Sequence, residues 1–257
     1  NSKIITRTNE IYSASIIVGA DGVFSIIRNT IFQKPLTLHD IGVAYQQRVE
    51  IDRDSLSNYN YNYNEFYYGK EVSPGGYGWI FPHKDHLRIG VGAIASFMKG
   101  HSLRKYAERI TSMRGIHVRK VLKEEGYLVP LSGGIKKIVH KNFLLIGDAA
   151  HQVSPLAGTG IHYAMLAGFI AGKPIVESLI REDVSYLKKY EKIWNRLYYL
   201  SLKAERLLVN ILLKPRTKGK GLYLNRDLIR IFAEVLVGRK EVAELVRHYI
   251  YKALGFR

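Results

Sequence analysis

Residues 147–164 read Gly-Asp-Ala-Ala-His-Gln-Val-Ser-Pro-Leu-Ala-Gly-Thr-Gly-Ile-His-Tyr-Ala, and the reading of the fold turns on this stretch. An apolar run, Phe143-Leu144-Leu145-Ile146, leads into it with the length and composition of a buried strand. After Gly160, small and apolar residues recur at helical spacing at Ala164, Ala167, Gly168 and Ala171. The segment is therefore predicted to be a strand, an acidic turn, a glycine loop and a close-packed helix. That order sets the unpaired N–H groups of a helix start beside the Asp148 carboxylate, which suits a ligand with a polyol and an anionic end. A capping or turn role for Asp148 is the plainer alternative.

Two further landmarks lie upstream. Residues 15–22 read Ser-Ile-Ile-Val-Gly-Ala-Asp-Gly, a buried strand ending in a turn, with Ser25 and Arg28 following. Arg28 there either pairs with a phosphate or braces the turn, and the brace is slightly favoured. Residues 73–82 read Ser-Pro-Gly-Gly-Tyr-Gly-Trp-Ile-Phe-Pro, and Gly90-Val91-Gly92 follows after seven residues. On a strand, Tyr77, Trp79 and Phe81 project from one face and build a wide apolar wall. The competing view is that alternating aromatics are simply the core of a half-buried sheet.

The spacing of Asp148, Pro155, Gly158 and Gly160 resembles the second FAD-binding motif of the flavin monooxygenase and reductase superfamily. The Ala20-Asp21-Gly22 turn, with Ser25 and Arg28, resembles the segment that lies near the FAD pyrophosphate in the same superfamily. This likeness implies a cofactor set of Ala20, Asp21, Gly22, Arg28, Gly147, Asp148, Pro155, Gly158, Thr159 and Gly160. Asp148 would bond a ribityl hydroxyl, and Gly158 and Gly160 would admit the isoalloxazine edge where no Cβ fits. The positive end of the following helix would face the flavin atoms that gather charge on reduction.

The row Tyr77, Trp79, Phe81, Pro82 with Gly90 and Gly92 resembles the Tyr-x-Trp-x-Phe-Pro and Gly-x-Gly signature of the geranylgeranyl reductases, whose digeranylgeranylglycerophospholipid reductases act on archaeal ether lipids. In that family the segment lines the isoprenoid cavity, so these six residues are the substrate-binding set implied. The function implied is FAD-dependent saturation of carbon–carbon double bonds in geranylgeranyl chains of prenyl lipids. NAD(P)H or ferredoxin would supply the electrons. No proton donor is identified beyond Tyr77 as a candidate. Two alternatives stand: an FAD-dependent aromatic hydroxylase, and a non-catalytic lipid-binding remnant.

The expected fold class is α/β with α+β. It comprises an incomplete FAD-binding Rossmann-like domain (1–34 and 141–180), a mostly antiparallel β-sheet substrate domain (35–140) and a basic helical C-terminal region (181–257). Strands are predicted at 41–51, 62–68, 76–81, 87–94 and 126–130, and helical spacing at 103–125, broken at Gly115. From 184 to 204, Leu187, Tyr190, Ile193, Trp194, Leu197 and Leu200 mark an amphipathic helix, and another follows Leu228. The strand, Gly-x-Gly-x-x-Gly loop and helix that open a superfamily member have no counterpart, and the chain begins at Asn1. The resemblance therefore implies a partial chain whose cofactor sheet has an unpaired edge.

Composition narrows the classes. With no cysteine, disulfides, thiolate catalysis and Cys-based metal sites are excluded, and the nine histidines show no metalloprotease or zinc-finger spacing. No metal is expected. The 39 Lys and Arg against 22 Asp and Glu give +17, and residues 181–257 hold 18 basic and 8 acidic side chains. A basic helical face docks on anionic lipid or nucleic acid, and without a nucleic-acid module the lipid surface is favoured over it. A solvated surface is the plain alternative. The Lys-rich loop at 214–220 is the local candidate for a phosphate contact. No apolar run is expected to reach the length of a membrane span. The location expected is cytoplasmic, peripheral to the inner face of the membrane.

Overall fold

The computed structural model describes residues 2–52 and 63–213. They form two compact units, one from residues 2–36 and 130–212, the other from residues 37–129.

The first unit opens with an antiparallel hairpin, β1 (Ser2–Ile5) and β2 (Ile11–Ala14), which the sequence reading missed. Its Ile5, Ile11 and Tyr12 are exposed, so no buried face marks these strands by period. Next come β3 (Ile17–Gly19) and α1 (Ile26–Ile31). In the three-stranded sheet, β3 lies at one edge, β10 (Phe143–Leu145) in the centre and β9 (Val139–His140) at the other edge. β10 runs parallel to β3, aligning Phe143 with Ile17 and Leu145 with Gly19, and Ile146 N–H donates to the Gly19 carbonyl at 3.0 Å. Two stretches more than a hundred residues apart in sequence thus leave their loops at the same carboxyl end of one sheet, where ligands of open α/β sheets bind.

Helix α3 (Ile161–Ile180) starts where the glycine loop ends, with Gly160 at its N-cap. Its small residues Ala167 and Ala171 face inward with Pro174 and Ser178, packing with Leu144, Leu145, Ala149 and Ala150. The opposite face carries Ile161, Met165, Phe169, Val176 and Ile180, with Phe169 85% exposed. By length and composition this helix is apolar enough to cross a membrane. That corrects the expectation of no such segment; His162, Lys173 and Glu177 interrupt the run and hide it from a scan for unbroken apolar residues.

The helix expected at 184–204 is divided. A 3-10 turn (Val184–Leu187) leads into α4 (Lys188–Trp194), then a π turn (Asn195–Tyr199), then α5 (Leu200–Leu213). Leu187, Tyr190 and Trp194 are fully buried, whereas Ile193, Leu197 and Leu200 are exposed. A π turn widens the helix by one residue and rotates the stripe that follows, so the buried face of α5 is set by Leu202 instead. The helix predicted after Leu228, the loop at 214–220 and most of the basic tail lie outside the described residues.

The second unit is a five-stranded sheet ordered β5-β6-β7-β4-β8. Its strands are β4 (Ile41–Ile51), β5 (Glu65–Tyr68), β6 (Tyr77–Pro82), β7 (Leu87–Ile94) and β8 (Val118–Pro130). Of the strand predicted at 62–68, residue 62 lies outside the described residues. α2 (Leu103–Met113) packs Ala107 and Ile110 against Val49, Ile80, Leu87, Ile89 and Val91. The helix predicted to resume after Gly115 is instead β8. Gly115, at φ +66°, closes α2 by donating to the Ser112 carbonyl, and Ile116 reaches back to Thr111. The following residues pair as an edge strand, with Glu124 accepting from Tyr45 Oη at 2.8 Å and Gln47 Nε2 at 3.0 Å. Val118, Val121 and Leu122 imitate helical spacing but are all exposed.

Candidate functional site

In the first unit, the loops after β3 and β10 carry the predicted cofactor set, except Arg28, which lies in α1. After β3, Asp21 caps α1, its Oδ2 accepting from Ile26 N–H at 2.8 Å, and Ser25 Oγ accepts from Arg28 N–H at 2.9 Å. Gly22 supplies the turn carbonyl that accepts from Ser25 N–H. Arg28 is 1% exposed and donates to Val23 O at 2.8 Å, Lys34 O at 3.0 Å and Asn29 Oδ1 at 3.2 Å. In this geometry Arg28 braces the turn, and burial lowers its pKa. Ala20 begins the loop directly beyond the strand.

After β10, Gly147 takes a left-handed conformation at φ +62° and Gly147 N–H donates to Gln152 Oε1 at 2.6 Å. Gln152 Nε2 donates to Tyr190 Oη, and Tyr190 Oη donates to the Leu145 carbonyl, each at 2.9 Å. Gln152 and Tyr190 are both fully buried, so this closed network fixes the turn against α4. The next turn is self-bonded. Ser154 N–H donates to Thr159 O and Gly158 N–H to Ser154 O, both at 2.9 Å, with Pro155 buried inside the loop.

The framework leaves Asp148 available. Its carboxylate is half-buried, its pKa is raised by burial, and it has no hydrogen bond or ion pair to any described residue. A half-buried carboxylate without a partner carries a desolvation cost that a hydroxyl donor would offset. Beside it, a Cβ on Gly160 would stand 3.4 Å from Asp148 Oδ1 and 2.9 Å from a Val153 methyl, so glycine keeps that approach open. No side chain caps the start of α3, so its first N–H groups point outward beside an acceptor. Polyol and anion chemistry fit this pairing, and the residues present are those an FAD ribityl chain and flavin edge would need.

The second unit carries the aromatic row. Gly78 and Ile80 of β6 face α2, and the Tyr77, Trp79 and Phe81 side chains stand half-buried on the other face. Ring centroids lie 5.8 Å apart for Tyr77 and Trp79 and 6.0 Å for Trp79 and Phe81, and Phe66 of β5 flanks them at 5.9 and 5.5 Å from Tyr77 and Phe81. Trp79 Nε1 donates to Gln46 Oε1 of β4 at 3.1 Å. The Trp79 indole lies over Gly90 of β7: a Cβ there would come 2.3 Å from Trp79 Cζ2, whereas one on Gly92 would sit at 3.5 Å. So the row faces away from the α2 core, and Gly-x-Gly is first of all the floor on which the indole rests. Burial pushes the Tyr77 hydroxyl up to about 12, which makes it a weaker acid than an ordinary tyrosine. Pro82 ends β6 opposite Leu87.

Residues 40–127, which contain this sheet except the end of β8, match the family model of the geranylgeranyl reductase catalytic domain. Over these residues the chain is similar to the geranylgeranyl reductases. A digeranylgeranylglycerophospholipid reductase of Methanothrix thermoacetophila is 36% identical over 185 residues, covering 70% of this chain and 46% of that relative. The chain thus spans about half the length of the curated relatives it matches. Among solved structures, a geranylgeranyl bacteriochlorophyll reductase-like protein of Thermoplasma acidophilum shares the fold with a TM-score of 0.69 at 21% identity, over 96% of this chain and 64% of its own. A probable FAD-dependent monooxygenase of Pseudomonas aeruginosa shares it with a TM-score of 0.59 at 15% identity, over 82% and 60%. The fold class is the α/β with α+β arrangement that the sequence implied, and both solved structures share it.

Sequence reasoning missed the supports of the β10 loop: Gln152, Tyr190, Ser154 and, on α5, Glu205. Glu205 is 1% exposed between Leu202, Leu208 and Val209. An acid placed three residues along from leucine on both sides, within the apolar stripe of a helix, was the available signal.

Proposed function

We propose that this protein takes part in saturating carbon–carbon double bonds of geranylgeranyl chains in prenyl lipids, with FAD as its redox group. The carrying observation is the aromatic face of Tyr77, Trp79, Phe81 and Phe66, which is built on the side of the sheet away from the hydrophobic core. An extended isoprenoid offers only apolar contact, and a row of rings seated on glycine matches it in width and chemistry.

When bound, FAD supplies hydride-transfer chemistry. The residues to hold it are Asp148, accepting from ribityl hydroxyls, and the open N–H groups at the start of α3, where Gly158, Thr159 and Gly160 leave the backbone accessible. Ala20, Asp21 and Gly22 are placed at the same sheet end by the β3–β10 pairing, with Arg28 acting through the turn it braces. Tyr77, Trp79, Phe81 and Pro82, resting on Gly90 and Gly92, hold the chain and exclude water. An isolated alkene has no carbonyl to polarise, so positioning and a dry wall are what the protein contributes. With its hydroxyl held near 12, Tyr77 serves the wall better than it serves as proton source. NAD(P)H or ferredoxin is the proposed electron source, and contact of a basic surface with the inner membrane face the proposed route to substrate.

The test is an equilibrium titration of FAD into the chain, read by flavin fluorescence. The reading expects binding that Asp148→Asn weakens about ten- to a hundredfold, the worth of a hydrogen bond to a charged group. The Asp148 carboxylate has no partner among the described residues, so thermal stability should stay nearly unchanged. Equal affinity in both proteins would sink the assignment.

A further inference from the structure

Ser154 is the hub of the loop that runs from β10 to α3. Its N–H donates to Thr159 O, its carbonyl accepts from Gly158 N–H, and its Oγ accepts from Ala157 N–H at 3.0 Å. The one remaining bond, the Ser154 Oγ–H, is donated out of the loop to Glu205 Oε2 on α5. Leu156 N–H approaches the same oxygen at 3.5 Å. We infer that Glu205 is a positioning residue for this loop, tying it to α5 through Ser154, and that gain or loss of its proton sets how firmly the loop is held. The inference rests on the flavin reading only where it concerns the ligand; the tie itself is a property of the chain.

The chemistry follows from what surrounds the carboxyl. Lys203 and Arg206 neighbour it on its own helix, and Lys203 Nζ is engaged with the Ser132 carbonyl at 3.0 Å. From another element, Tyr163 on α3 couples to it, its hydroxyl pushed up to about 12 by burial and then by the Glu205 charge. Among the described residues, no cation contributes to Glu205 itself. Burial raises its pKa to about 7, against smaller lowering contributions from Ser154 and the Leu156 amide. A buried carboxylate with no counter-charge among the described residues is costly, so the neutral acid is the form the native packing favours.

With burial raising it to about 7, Glu205 keeps its proton in the native state to higher pH than an unfolded glutamate, which releases it near 4.5. The stabilisation is complete below the unfolded value and is lost as pH rises through the folded one.

The experiment measures urea unfolding of the full chain between about pH 5 and pH 8 for the natural protein and for Glu205→Gln, which keeps the shape and the acceptor without the charge. The difference between the two should carry a change of roughly a hundredfold in the unfolding constant across that range. FAD affinity is measured in parallel and should vary with pH in the natural chain and lie flat in the variant. Parallel stability profiles overturn the assignment. Ser154→Ala supplies the second arm: losing the bond that lowers Glu205 should move the step to higher pH, and an unmoved step overturns the tie. A step abolished by Glu205→Gln in a chain that binds no FAD at any pH supports the Glu205 assignment and refutes the flavin reading.

Discussion

Placing a methyl group at Gly90 tests the physical reason for the Gly-x-Gly half of the signature. Built on the backbone, the new Cβ of Gly90→Ala lies 2.3 Å from Trp79 Cζ2, 2.4 Å from Cε2 and 2.8 Å from Nε1. Carbon atoms pack at about 3.5 to 4.0 Å, so the indole must lift by roughly 1 Å or more. It is hemmed in by Tyr77 and Phe81, with centroids at 5.8 and 6.0 Å, and its Nε1 is tied to Gln46. Overpacking of this kind costs about 1 to 3 kcal/mol, and loss of the Gln46 bond adds about 1 kcal/mol. Urea unfolding followed by circular dichroism should therefore show Gly90→Ala destabilised by about 2 to 4 kcal/mol. Gly92→Ala, with its Cβ at an ordinary 3.5 Å from the ring, should stay within about 0.5 kcal/mol of the parent. In a Trp79→Phe background the Gly90→Ala cost should shrink, giving a coupling of about 1 to 3 kcal/mol. If Gly90→Ala and Gly92→Ala cost the same, or the two sites are additive, the glycine is not there to seat the indole.

Two other supports are open to the same measurement. Tyr190→Phe removes the hydroxyl shared by Gln152 and the Leu145 carbonyl, leaving buried groups unpaired, and should cost about 1 to 3 kcal/mol; a loss under about 0.5 kcal/mol would show that the network does not hold the Gly147 turn. Arg28→Lys should destabilise nearly as much as Arg28→Ala, about 2 to 3 kcal/mol, because one ammonium cannot meet Val23 O, Lys34 O and Asn29 Oδ1 in their fixed fork; full rescue by lysine would count against the brace.

The parts of this fold that are local were readable in the chain. Gly147, Asp148 and Gly160 announce a strand, turn and helix because each of those conformations is decided within a few residues. Tyr77, Trp79 and Phe81 declared a one-sided strand by their period, though which side faced the core depended on α2, which no local pattern reports. Reading failed where partners are distant. Residues 118–125 carry helical spacing, yet β4 recruits them as an edge strand through Glu124. The 195–199 turn takes up an extra residue and shifts the buried stripe, so Leu200 faces solvent where the period put it inside. The leucine spacing around Glu205 signals a buried acid but not what it supports, because its partner, Ser154, lies 51 residues away.

The central claim is chemical: reduction of a prenyl chain, with no oxygen inserted. The deciding measurement supplies the FAD-loaded chain with a geranylgeranyl lipid and a reductant under air, and weighs the lipid product by mass spectrometry. Gain of two hydrogens for each double bond lost is the predicted result. A product carrying added oxygen, or a lipid left unsaturated by a chain that binds and reoxidises FAD, would contradict it.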